Sequence, residues 1–263
     1  MEINKKKIME LIAILVYIVI CVLVVNVFDH KPSKPSNPEH VPIPNTGELV
    51  SKHFSWIKPG LSKTMNLNTV VQVRTDAYEY ARNELLNSTP SKTCIRSDAE
   101  FFDISKSEVL HEDFGAGNYE LTQIASYLAR ICNSEILSEY EFAGIILSFT
   151  QEQCIPYSFD KESTGHKEYV RFPLETIYDT TGDCDCKAVL ACALFKTLGF
   201  RVALASMPGH AALAITLPDD DLPFSNFVLK GKRWFYCEST GDEWNPGQMP
   251  DGIDPEMVKL LEI

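Results

Sequence analysis

The sequence predicts an α+β domain preceded by one transmembrane helix, and three observations carry this expectation. A nearly unbroken apolar run over residues 11–25, extending to Phe28, follows Lys5, Lys6 and Lys7. Helix-periodic apolar spacing then recurs as far as residue 198. Beyond it lie four short β-type segments, so helices come first and an antiparallel sheet follows.

Residues 1–28 read as a membrane anchor. The run is just long enough to span a bilayer when its flanks are counted. The lysines favour an N-terminus in the cytoplasm and a body outside it. The run is long for a signal peptide and no small-x-small cleavage site follows, so a retained single-pass anchor in the cell membrane is preferred to cleaved secretion. Residues 29–64 read as a Pro-rich linker, since Pro32, Pro35 and Pro38 favour an extended spacer. The domain proper is expected over 65–263.

Within that domain, residues 69–86 read as helical. So do residues 119–132, with Leu121, Ile124, Leu128 and Ile131 on one face, and residues 138–153, with Phe142, Ile145, Ile146 and Phe149. Residues 90–117 carry no clear pattern, and residues 156–181 look loop-rich. A helix over 184–198 ends at Gly199, as a C-terminal glycine cap would have it. The β-type segments are 200–206, 211–217, 227–230 and 233–237.

Composition narrows the function. Hydrophobic residues at 45% and charged residues at 23% suit a globular domain with a sizeable core. A net charge of −12 repels nucleic acid. The eight cysteines are not spaced as a small disulfide scaffold. Their pairing, and the oligomeric state, stay open.

Three residues stand out. Cys184 falls in the first turn of a helix for which Asp183 suits the N-cap. Unpaired amides there favour negative charge, and so the reactive thiolate, and can also hold an oxyanion. His210, after a Pro-Gly turn, is the only histidine C-terminal to Cys184, and a thiol nucleophile needs an imidazole. Glu238, at the end of an apolar strand, can fix the imidazole's tautomer.

Four stretches then resemble the bacterial and archaeal transglutaminase-like family, relatives of the papain-like cysteine proteases: residues 171–176, 182–188, 208–211 and 236–241. The match covers about residues 140–250. It implies a papain-like core with helices packed on a small antiparallel sheet, and a catalytic set of Cys184, His210 and Glu238. The family's usual third residue is aspartate, so glutamate here adds a methylene. Related enzymes place a polar or indole side chain upstream of the nucleophile for the oxyanion, and Gln151 or Gln153 are the candidates.

The implied chemistry is thiol-dependent acyl transfer, or amide or peptide hydrolysis, with no cofactor. The substrates are peptides or proteins, peptidoglycan peptides among them. Two alternatives compete: a catalytically silent binding module on the same fold, and a zinc site drawn from Cys184, Cys186, His210 and Cys237.

Overall fold

The computed structural model describes residues 48–59, 63–88, 117–218, 222 and 224–263. Its first feature is a long hairpin. Strands β1 (Leu49–Pro59) and β2 (Thr64–Arg74) pair antiparallel from Leu49↔Arg74 to Pro59↔Thr64. Phe54, Trp56 and Lys58 of β1 are buried, as are Met65, Leu67, Val71 and Val73 of β2. The other face of the hairpin is largely exposed.

This hairpin corrects two expectations. Residues 49–59 form a strand where the linker over 29–64 was expected. The segment 69–86 is not one helix: its first residues complete β2, and α1 (Thr75–Ser88) begins directly after it. The signals were the period-two alternation of Phe54 and Trp56 and the β-branched pair Val70-Val71, which favours strand over helix.

Helix α2 (Gly117–Glu135) buries Leu121, Ile124, Ala125 and Leu128. It also closes the outer edge of β2 with side chains. Asn68 N donates to Tyr127 Oη at 2.9 Å, Gln72 N to Gln123 Oε1 at 2.9 Å, and Arg74 N to Glu120 Oε1 at 3.2 Å. An edge strand left bare would template further pairing.

Helix α3 (Glu139–Thr150) starts with a capping box. Ser138 Oγ accepts from Glu141 N, and Glu141 Oε2 accepts from Ser138 N at 3.0 Å. From Phe142 onward every residue of α3 is buried. The stretch expected to be loop contains two short helices, α4 (Asp160–Ser163) and α5 (Pro173–Asp179). Helix α6 (Cys184–Thr197) follows, and Gly199 leaves it with φ +86°.

The chain ends in a five-stranded antiparallel sheet, ordered β5-β6-β4-β3-β7. Its strands are β3 (Val202–Met207), β4 (His210–Ile215), β5 (Asn226–Leu229), β6 (Lys232–Cys237) and β7 (Lys259–Glu262). The two-residue turn between β3 and β4 puts Gly209 at φ +73°. Leu204, Leu213, Ile215 and Phe235 face the helices, in one core with α6. On the other face Ala205, Ala212 and Tyr236 are covered by Met249, Ile253 and Val258 from the C-terminal segment.

The expected fold class is corrected accordingly. The fold is α+β, but with two antiparallel sheets in place of one small sheet. No helix among the described residues is long and apolar enough to cross a membrane. Residues 1–28, where the transmembrane helix was expected, lie outside the described residues.

Trp56 binds the hairpin to the body. Its Nε1 donates to Ser148 Oγ at 2.9 Å, and its ring meets Tyr127 and Phe149 edge-on. Trp56→Ala is expected to cost about 3–5 kcal/mol of stability, the range for removing a large buried aromatic. Urea unfolding followed by circular dichroism measures this. A loss well under ~1 kcal/mol would show that the hairpin is not part of the cooperative unit.

Candidate active site

The start of α6 is built by close packing. Asp183 is the N-cap, with Oδ1 accepting from Cys186 N at 3.4 Å. Gly182 stands just before it, where a Cβ would come within 2.8 Å of Cys186 Cβ. Only glycine permits that approach. Gly182 is also paired with the chain at Tyr157: its N donates to Pro156 O at 3.3 Å, and Ser158 N donates to its carbonyl at 3.2 Å. Cys184, half-buried, is the first residue of the helix, so its amide has no intrahelical acceptor.

The two other catalytic candidates come from neighbouring strands. His210 opens β4, and Glu238 directly follows β6, which pairs with β4. His210 Nε2 lies 2.9 Å from Glu238 Oε2. This leaves Nδ1 to serve Cys184, to which the ring is also hydrogen-bonded. Burial works against a charged imidazole, but the bonds to Cys184 and Glu238 and their charges outweigh it. His210 is thereby pushed up to about 10.

Glu238 is buried and fully engaged. Its Oε2 also accepts from Tyr236 Oη at 2.8 Å. Its Oε1 accepts from Thr240 N at 2.8 Å and from Thr240 Oγ1 at 2.7 Å. Burial raises its carboxyl, yet the His210 and Thr240 bonds prevail and hold it below the ordinary glutamate value. The structure therefore brings together the three residues singled out from sequence.

It places the two glutamines elsewhere. Both amide protons of Gln151 go to carbonyls, Glu238 O at 3.1 Å and Trp244 O at 3.0 Å. Gln153 Oε1 accepts from Ile57 N at 3.1 Å, on β1. Gln151 braces the loop that carries Glu238, and Gln153 ties that region to the hairpin.

The hydroxyl that does reach the thiol belongs to Tyr157, which the sequence reading passed over. Tyr157 is hydrogen-bonded to Cys184, and burial together with the Cys184 charge raises its phenol well above the usual value. It stays protonated and is a donor. Its backbone is fixed by Glu152, whose Oε2 accepts from Tyr157 N at 2.9 Å and pairs with Lys187 Nζ at 3.4 Å. Lys187, buried one turn into α6, lies 5.9 Å from the centre of the Tyr157 ring. An aromatic following Pro156 in a segment upstream of Cys184 was the available signal.

Arg171 organises the ground behind the helix start. Its guanidinium meets Asp179 at 3.0 Å, Asp160 at 3.4 Å and Ser163 Oγ at 2.8 Å, all from a buried position. Burial and the adjacent Asp183 push Asp160 up to about 8, against the pull of Arg171. Cys186 Sγ accepts from Arg171 N at 3.2 Å and faces Tyr169 O.

The zinc alternative fares differently. Among the described residues, one group of ligand-type side chains lies within 4.8 Å of one another: Asp160, Asp183 and Cys186. It contains neither Cys184 nor His210 nor Cys237, and Arg171 already supplies a cation to it.

Two outcomes follow from this geometry. Gly182→Ala forces Cys186 to give way and is expected to cost about 1–3 kcal/mol in urea unfolding, as overpacking does. Stability should also depend on pH through His210. Its folded value exceeds the ordinary 6.5, so its contribution is complete below that pH and is lost as pH rises toward 10. The stability gap between the unsubstituted protein and His210→Gln should therefore be wide near pH 6 and closed by pH 10, and a gap constant over that range would contradict the charged pair. Neither a known family model nor a curated protein matches the chain.

Proposed function

We propose that this protein is a thiol-dependent enzyme of the transglutaminase-like kind, acting by acyl transfer or by amide or peptide hydrolysis. The observation supporting this reading is the continuous hydrogen-bonded series from Cys184 through His210 to Glu238. A charged imidazole beside a thiol is the resting pair from which a thiolate attacks.

In this mechanism the Cys184 sulfur attacks a carboxamide carbonyl. The oxyanion forms beside the Tyr157 hydroxyl and the unpaired amide at the start of α6. His210 gives its proton to the departing amine, the C–N bond breaks, and a thioester remains on Cys184. Water or a second amine then attacks the thioester. His210 takes a proton from that attacking group, and the thiolate leaves. Glu238 keeps the ring oriented throughout and balances its charge.

The test uses an activity probe carrying an electrophilic carbonyl, read by mass spectrometry. Cys184→Ala should abolish labelling, and His210→Ala should slow it by roughly 10²–10⁴-fold, the usual size of a general acid–base contribution. Tyr157→Phe, measured on an amide substrate, should lower kcat by about tenfold or more through loss of one oxyanion donor. Labelling no faster than that of Cys184→Ala would refute the nucleophile assignment.

A further inference from the structure

Beside the nucleophile the protein exposes two aromatic rings on a fixed backbone. Tyr157 is 37% exposed and Phe159 is 61% exposed. Their rings meet edge to face, with centroids 5.2 Å apart and planes at 79°. The other large exposed apolar residues among those described are aliphatic or methionine, namely Leu49, Ile57, Val70, Ile136, Val228 and Met257. The aromatic pair is thus confined to the neighbourhood of Cys184.

The platform is rigid for local reasons. Phe159 caps α4, and its carbonyl accepts from Glu162 N at 3.0 Å, Ser163 N at 3.1 Å and Ser163 Oγ at 3.0 Å. The next residue, Asp160, is held by buried Arg171. Tyr157 is tied through its backbone to Glu152 and through its hydroxyl to Cys184. A ring presented on such a backbone loses little freedom when a ligand covers it. Exposed aromatic area held this way is apolar surface kept out of the core, which is favourable only where something else buries it.

We propose that Phe159 and Tyr157 form the subsite for a bulky apolar side chain of the acyl donor, on the residue whose carbonyl Cys184 attacks. This rests on the thiol acyl-transfer reading above. Position supports the assignment: the phenol of Tyr157 is hydrogen-bonded to Cys184, and the centre of the Phe159 ring lies 5.2 Å from that of Tyr157. Charge supports an apolar occupant over a cationic one. The carboxylates near the Tyr157 ring are engaged within the protein: Glu152 with Lys187, and Asp183 and Asp185 with the backbone amide of Cys186.

The experiment compares alkylation of Cys184 in the full chain by four reagents, followed by mass spectrometry. Three are N-acetyl chloromethyl ketones of phenylalanine, glycine and lysine, and the fourth is iodoacetamide. In each case a bond forms from sulfur to carbon and halide leaves. The phenylalanyl reagent should exceed the glycyl one by about tenfold, from ring stacking and burial. Phe159→Ala should bring that ratio near unity, and Phe159→Tyr should restore it. The subsite is overturned if the ratio is flat in the unsubstituted protein, if it survives in Phe159→Ala, or if the lysyl reagent is preferred. Rapid, His210-dependent iodoacetamide labelling with a flat peptide ratio sinks the subsite alone. Slow, His210-independent iodoacetamide labelling sinks the nucleophile and the subsite together.

Discussion

The burial of α6 is the constraint from which the rest of the site follows. From Cys186 to Phe195 its residues are buried, between α2, α3 and α5 on one side and the five-stranded sheet on the other. A helix enclosed on all sides has to satisfy its terminal backbone groups locally, because water does not reach them. At the N-terminal end Asp183 does so, Gly182 gives it room, and Arg171 with Asp160 supports Asp183 in turn. At that end the residues that escape enclosure are Cys184 and Asp185, both half-buried. The position of Cys184 is thus a product of packing: the thiol stands where the buried helix meets the surface.

The third residue shows how a longer acid can be as well fixed as a shorter one. Glutamate adds a rotatable bond, and an additional bond is freedom that blurs orientation. Here four hydrogen bonds fill the two oxygens of Glu238, two of them from the single residue Thr240. The carboxylate has no spare direction in which to turn. Tyr236, two residues back on the same sheet face, supplies the bond that a neighbouring strand residue is positioned to make. The charge stays tolerable in a buried place because every lone pair is used.

Legibility in the sequence followed the strength of local signals. The run from α6 to β6 could be read because Asp183, Gly199 and the Pro208-Gly209 turn punctuate it, and because each element has one dominant period. Cys184, His210 and Glu238 sit at the ends of those punctuated elements, where sequence patterns are sharpest. The hairpin was missed because Pro-rich residues precede it and because Lys58 occupies a core position of the alternation. Its ammonium is held by Asn245 Oδ1 at 2.8 Å and Trp244 O at 3.3 Å, partners that no local pattern reveals. Tyr157 was missed for the same reason: it is placed by Gly182 and bonded to Cys184, which lie elsewhere in the chain. Strand β7 pairs with β3 across more than fifty residues and has too short an alternation to announce itself. What sequence patterns convey is the element; what they omit is the partner.

The contact between Lys58 and Asn245 has a temporal meaning. These residues are 187 positions apart. The same loop, through Trp244 O, is bonded to Gln151, which also holds the backbone of Glu238. The acid's support is therefore closed by two stretches of chain far apart in sequence. Helix α6 and its cysteine can pack as soon as the middle of the chain is available, since helical contacts form early and long-range pairings late. The third member of the set reaches its final setting only when the first hairpin and the last loop have met. The setting of Glu238, and with it the bond to His210, thus rests in part on residues 187 positions apart.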